Sequence, residues 1–435
     1  MRMTSIRQSW LNIPADSHFS LRNIPFGIIS TASDPRRRPA VAIGDYALDL
    51  FEFSNSGGFR QSGFTNTAVF ENSTLNAFAA LGRAAHRMVR TYIQDIFAAS
   101  GPYPDLLERN HPLRERALLP LASVQNHLPL EIGDYTDFFV GRNHAYNCGV
   151  IFRGPENALN PNYYHVPVGY HGRASSVVIS GTPIKRPVGQ ILPDPTAVPK
   201  IPVLAPTQRL DYEVEFAAFI ATGNNMGERI NVNEAEEHIF GYVLMNDWSA
   251  RDVQAWEYVP LGPFTAKNFG TSISAWVVLS DALEPFRTKP LARPAEAGDV
   301  LPYLQEGNEE SVYDIKLQVV YQTAGGDKAV VSKGSTKYLL FSFAQMIAHH
   351  TVTGANLRPG DLIASGTISG EDSGSLGSLL EKSQAGKVHI AIGQSTRTFL
   401  QDGDTITITA AADDGSGAGL VGFGELNGTV LAPDY

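Results

Sequence analysis

Three acidic residues alternate with apolar ones in the segment Asp211-Tyr-Glu-Val-Glu-Phe216. In an extended strand Asp211, Glu213 and Glu215 project from one face while Tyr212, Val214 and Phe216 pack on the other. Carboxylates two residues apart repel, and out of water they need a counter-charge. A hard divalent cation such as Mg2+ or Ca2+, which takes oxygen ligands, is the natural one. The competing reading is an edge strand with a solvated acidic face, and this segment alone does not separate the two.

Two further clusters bear on that choice. Gly241-Tyr-Val-Leu-Met-Asn246 reads as a buried strand with Asp247 at its end, followed by Arg251 and Gln254. A helix there would carry Asp247, Arg251 and Gln254 on one face, an anion clamp and an amide beside a metal ligand. Asp247 could equally be a plain helix cap. The segment from Asp134 to Gly149 holds Asp137 and His144. The imidazole of His144, with a reference pKa of about 6.5, suits proton transfer near neutrality if a carboxylate orients it. Gly417-Ala-Gly419-Leu-Val-Gly422 matches a dinucleotide-binding pattern on paper, yet it follows no strand and opens no helix, so turn glycines explain it. His349 and His350 are adjacent on a helical pattern and face different ways, which makes a poor metal pair.

The elements that must position these groups are mostly strands. PFGIIS, PAVAIGD and YALDLFEF are β-type runs, and a helix from Ser73 or Thr74 follows, with apolar residues at helical spacing from Leu75 to Ile96. Residues 101–130 read as a connection that contains the domain boundary. Beyond it the texture is β, interrupted by EAEEHIF, which Asn233 can cap, and by FAQMIAHHTVTG, capped by Ser342 and ended by Gly354. Helices are too few to cover both faces of a parallel sheet, so a β-roll or sandwich is expected.

Composition excludes several classes. Net charge is −10, which argues against a nucleic-acid partner, and Arg36-Arg37-Arg38, expected in a solvated loop, is too short to reverse that. No run approaches the ~18 apolar residues of a membrane span. The first residues lack the apolar run of a secretory signal, and Cys148, the sole cysteine, can form no internal disulfide. A cytoplasmic, reducing location is the expectation.

Laid side by side, these segments resemble the fumarylacetoacetate hydrolase family. The resemblance is carried by DYTDFF with His144, FRGPENAL, PVGYHGRASS, GTPIKRP, LMNDWSARDVQAWEYVPLGPF, NLRPGDLIASGTISG and FLQDGDTITIT, and it spans nearly the whole chain. It implies a mainly β protein with some α: a small SH3-like β-barrel domain in residues 1–125, then a mixed β-roll or sandwich catalytic domain in residues 126–435, assembled as a homodimer. It also implies hydrolysis of the carbon–carbon bond of 4-fumarylacetoacetate to fumarate and acetoacetate, the final step of tyrosine and phenylalanine catabolism. By resemblance Asp137, Glu213, Glu215 and Asp247 would hold Ca2+, and Asp247, Lys267 and Thr271 are associated with Mg2+. His144 would activate water, Glu381 would orient it, and Arg251, Gln254 and Lys267 would stabilise the oxyanion. Arg153, Tyr170, Gln254, Tyr258 and Thr367 match substrate-binding positions, as does Phe139, which stands where animal members carry a tyrosine. Asp211 matches no family ligand and is left out of the metal set. The alternatives are another reaction on a related diketo acid and, from a different class, a catalytically silent metal-binding scaffold.

Overall fold

The structure, a computed structural model, describes residues 7–434. The first β-runs form strands β1 (Phe26–Thr31), β2 (Arg38–Ile43) and β3 (Tyr46–Asp49). Gly44 at φ +55° makes the tight turn between β2 and β3, where Ile43 pairs with Tyr46. The stretch expected to be a connection contains two more strands, β4 (Leu118–Pro120) and β5 (Val124–His127). They complete a five-stranded antiparallel sheet in the order β4-β3-β2-β1-β5. Such short, proline-bearing pieces have no alternation of their own, and their partners impose the strand. Arg38 also departs from the solvated loop expected for the arginine run: it lies buried in β2 as the ion-pair partner of Asp49.

The long helix starts later than its periodicity indicates. A one-turn helix, Asn76–Ala79, precedes α1 (Arg83–Phe97), and Gly82 at φ +80° separates them. That left-handed residue breaks the helix although Leu75 and Phe78 continue the apolar spacing.

The C-terminal part of the chain is built on a seven-stranded mixed sheet. Its strands are β6 (Tyr135–Phe138), β7 (Gly169–His171), β8 (Val177–Ile179), β9 (Val214–Ile220), β10 (Ile239–Asp247), β11 (Thr271–Ile273) and β12 (Leu362–Ala364). Their order is β7-β6-β12-β9-β10-β11-β8. The EAEEHIF pattern expected to be a helix is a single 3-10 turn, Ala235–His238, and Ile239 already opens β10. Pairing with β9 along its whole length overrides the local helical preference.

The two faces of this sheet have different partners. Val214, Phe216, Tyr242 and Leu244 pack with Val319, Ile408 and Phe423 of a second, five-stranded sheet. Ala217, Phe219, Val243 and Met245 pack with Phe26, Phe78 and Val89 of the N-terminal region. Both β9 and β10 are buried throughout, which is why they read as apolar runs broken only by Glu215 and by Asn246 and Asp247 at the end of β10. Gly417–Gly422 lies in and just after the loop joining the last two strands, Thr405–Ala412 and Val421–Leu431.

Three more helices matter to the site: α2 (Arg142–Arg153), α3 (Arg251–Glu257) and α4 (Phe343–Thr351). Ser342 caps α4 reciprocally with Gln345, as its sequence indicates. In α2, Gly149 is required by packing: a Cβ there would lie 1.8 Å from the carbonyl oxygen of Ala158.

Candidate active site

Sheet register brings three acids together. Asp137 in β6 pairs with Ala364 in β12, which pairs with Ala217 in β9. Glu215 is two residues from Ala217 and pairs with Met245 in β10, and Asp247 is two residues beyond. Paired residues share a face and so do residues two apart, so Asp137, Glu215 and Asp247 all project to one side. Their carboxylates offer oxygens within 4.8 Å of one another.

All three acids are buried, so the solvated acidic face does not apply here. Both oxygens of Glu215 and Oδ1 of Asp137 lack a hydrogen-bond donor. Burial, with the Asp247 charge next, pushes the Asp137 carboxyl up to about 8. Burial and the charges of Asp137 and Asp247 raise Glu215 well above the usual carboxylate range. Buried all-oxygen donors with unmet lone pairs suit a hard divalent cation.

Glu213 is differently engaged. It pairs with Lys267, and its Oε1 lies 2.8 Å from an Arg251 guanidinium nitrogen. Burial alone would raise its pKa, but Lys267 and Arg251 overcome that and hold it well below the carboxylate range. Lys267 also donates to Asp247 Oδ2 at 2.6 Å, and Thr271, opposite Asp247 in β11, donates to Oδ1 at 3.1 Å. Asp211 leaves the set altogether. The chain breaks at Tyr212 between β9 and the short strand Leu210–Asp211. The Asp211 carboxylate accepts from the backbone N–H of Leu379 and Leu380 and from Arg251 Nε at 2.9 Å.

Asp247 ends strand β10 and does not belong to α3, so the three-residue helical face expected for Asp247, Arg251 and Gln254 reduces to a pair. Arg251 donates to Gln254 Oε1 at 3.1 Å, which turns the amide nitrogen of Gln254 away from it.

His144 lies on α2 and is 2% exposed. Its Nδ1 donates to Glu381 Oε2 at 2.7 Å, a contact between residues 237 apart in sequence. That leaves Nε2 as the basic atom, 3.7 Å from Glu213 Oε1 and 3.4 Å from Cys148 Sγ. Burial disfavours a charged ring, yet Cys148 and Glu381 beside it outweigh burial and raise its pKa well above the usual value. Glu381 sits on the one-turn helix Leu379–Lys382 and also accepts from Ser369, Ser378 and Asn147.

These groups surround one cleft of about 390 Å³. Asp137, His144, Glu213, Glu215, Arg251, Gln254 and Lys267 line it, and so do Phe139, Arg153, Tyr170, Tyr258 and Thr367. Asp247, Thr271 and Glu381 stand behind that lining, each bonded to a residue or two of it or of the acid cluster. Tyr170 donates to Asp247 Oδ2 at 3.2 Å. The Phe139 ring stands edge-on to His144 with centroids 5.8 Å apart. Arg153 spends two donors on the carbonyls of Asn157 and Ala158, which hold its guanidinium at the cleft. Asn147, Ser369 and Ser378 went unread in the sequence. Only Asn147 carried a signal, its place three residues after His144 on a helix.

Residues 22–129 match the family described as "Fumarylacetoacetase N-terminal", and residues 137–431 match "Fumarylacetoacetate (FAA) hydrolase C-terminal". The chain is 57% identical over 428 residues to a fumarylacetoacetase of Emericella nidulans, covering 98% of both chains. It is 47% identical over 431 residues to the fumarylacetoacetase of Homo sapiens, covering 97% of this chain and 98% of that one. The solved fumarylacetoacetate hydrolase of Exiguobacterium antarcticum superposes with a TM-score of 0.50 at 18% identity, over 94% of this chain and 99% of that one, a likeness of fold. The chain belongs to the fumarylacetoacetate hydrolase family.

Proposed function

We propose that this chain hydrolyses the carbon–carbon bond of 4-fumarylacetoacetate, giving fumarate and acetoacetate. The observation that carries the reading is the convergence, in one cleft, of an oriented imidazole, a buried acid triad and two buried cations. Asp137, Glu215 and Asp247 would hold a Mg2+ or Ca2+ ion, with Glu213 and Thr271 beside them. Bound there, the cation would supply a Lewis acid for the diketone oxygens and offset the carboxylate charge around His144.

The remaining work falls to this chain's own groups. Glu381 keeps the proton of His144 on Nδ1, so Nε2 takes the proton of a water attacking the carbonyl carbon of the fumaryl group itself. Lys267, Arg251 and the amide of Gln254 stabilise the tetrahedral oxyanion. As that oxygen re-forms its carbonyl, the carbon–carbon bond breaks and its electron pair leaves as the enolate of acetoacetate. The proton held on Nε2 then returns to carbon. Arg153 and Tyr258 pair with a substrate carboxylate at the cleft, and Tyr170 and Thr367 position the chain between. Phe139 contributes a ring without a hydroxyl, which removes one hydrogen bond worth about 1 kcal/mol.

Family membership supports placing the activity in the last step of tyrosine and phenylalanine breakdown, in the cytoplasm, and in a homodimer. Among the described residues no helix is long and apolar enough to cross a membrane. The test uses purified chain supplied with Mg2+ or Ca2+: fumarylacetoacetate absorbance falls, chelation stops the fall, and added cation restores it. An unchanged absorbance, with another diketo acid cleaved or isomerised instead, overturns the substrate. Sedimentation of the same sample tests the dimer.

A further inference from the structure

We infer that Asn147 is a positioning residue for the His144–Glu381 pair, setting the plane of the Glu381 carboxylate. This rests on His144 acting as the base. Three donors converge on one oxygen of Glu381: Oε2 accepts from His144 Nδ1 at 2.7 Å, Ser378 Oγ at 2.8 Å and Ser369 Oγ at 2.9 Å. They fix a point. The other oxygen, Oε1, accepts from Asn147 Nδ2 at 2.8 Å. A second fixed point turns a located oxygen into an oriented plane, and the plane decides which lone pair meets the imidazole N–H.

The placement of Asn147 suits that task. It lies three residues after His144 on α2, so the two side chains share a helix face and reach one carboxylate from one rigid element. The imidazole and the amide that aligns its partner therefore move together. Asn147 also lines a separate cavity of about 410 Å³ with Arg142, Tyr146, Tyr164 and Glu371. It is half-buried there, not packed in a core, so its amide is not explained as filling space.

The test compares Asn147→Ala, Asn147→Asp and Asn147→Gln with the parent chain, assayed with fumarylacetoacetate and Mg2+. Losing the donor in Asn147→Ala and Asn147→Asp lowers kcat about tenfold or more while KM stays within about twofold, the scale of removing an outer partner of a working side chain. Asn147→Gln, which keeps an amide donor, recovers part of kcat. In a Glu381→Ala background the Asn147→Ala change has no further effect, because Asn147 acts through that carboxylate. An unchanged kcat, a loss confined to KM, or full additivity with Glu381→Ala overturns the proposal. His144→Ala run in parallel separates the two readings. If it keeps turnover, the base assignment falls and this inference with it; if it is inactive while Asn147→Ala turns over normally, only the inference falls.

Discussion

Glu215 is the side chain whose surroundings say most about the site. It is fully buried, makes no hydrogen bond through either oxygen, and faces two other acids. Glu215→Gln removes a carboxyl whose charge burial and its acidic neighbours already disfavour and whose oxygens make no hydrogen bond, so the cation-free variant melts no lower than the parent. The parent gains about 2.7 kcal/mol in the presence of Mg2+ or Ca2+ at 100 times its dissociation constant. The variant loses most of that gain, and thermal melts with and without cation measure both halves. The acids themselves were legible from alternation, but their division of labour was not. By alternation Asp211, Glu213 and Glu215 are equals, and only the resemblance set Asp211 aside; the break at Tyr212 turns Asp211 toward the N–H groups of Leu379 and Leu380, and Lys267 and Arg251 claim Glu213. The hydrogen bonds to Glu381 join positions 3 to 237 residues apart, and those to His144 and Asn147 span distances that no local pattern encodes.

Among the elements, strands with strong apolar character and the helix capped by Ser342 were legible, and the misread ones have specific causes. Gly82 ended a helical pattern that apolar spacing carried through it, and β4 and β5 are strands because β3 and β1 accept them. Helix α1 also carries a pH-dependent contact. His86 is buried against Phe78 and Phe240, and its ring Nε2 donates to the carbonyls of Phe78 and Ala79, both at 3.0 Å. Burial lowers its pKa to about 4 from a usual 6.5. The folded chain therefore prefers the neutral ring, while the unfolded chain takes up a proton below about pH 6.5. The stability this supports is present in full above pH 6.5 and is lost as pH falls toward 4, up to about 3 kcal/mol. Denaturant melts at pH 7 and pH 4.5 give that difference, and His86→Gln flattens it.

For the molecule as a whole, the face of the central sheet that carries the acids is the face the N-terminal region covers further along. Residues at alternate positions of β9 run from Glu215 through Ala217 to Phe219, from the cleft into that contact. Phe240 is its anchor, with ring centroids 5.9 Å from Phe78 and 4.8 Å from His86. Phe240→Ala costs about 3–5 kcal/mol of stability by chemical denaturation, the range for emptying an aromatic core position. Its effect on KM is small because the cleft lies beyond the contact. Fold class was readable because both faces of these strands are apolar, whereas the closeness of Asp137 to Glu215 depends on β12 lying between β6 and β9, a choice of neighbours that no single segment announces.

That intervening strand has a consequence of its own. Neighbouring strands lie about 4.8 Å apart, so β6 and β9 stand roughly two such steps from each other. The sheet works as a ruler with fixed graduations, and its hydrogen bonds forbid settings between the marks. Any adjustment of the gap between the acids must come from side-chain length, one methylene at a time, as in the choice of aspartate at 137 and 247 and glutamate at 215. For a cation held there, the fit to a small or a large ion would be set by the reach of three side chains, with the backbone holding the scale still.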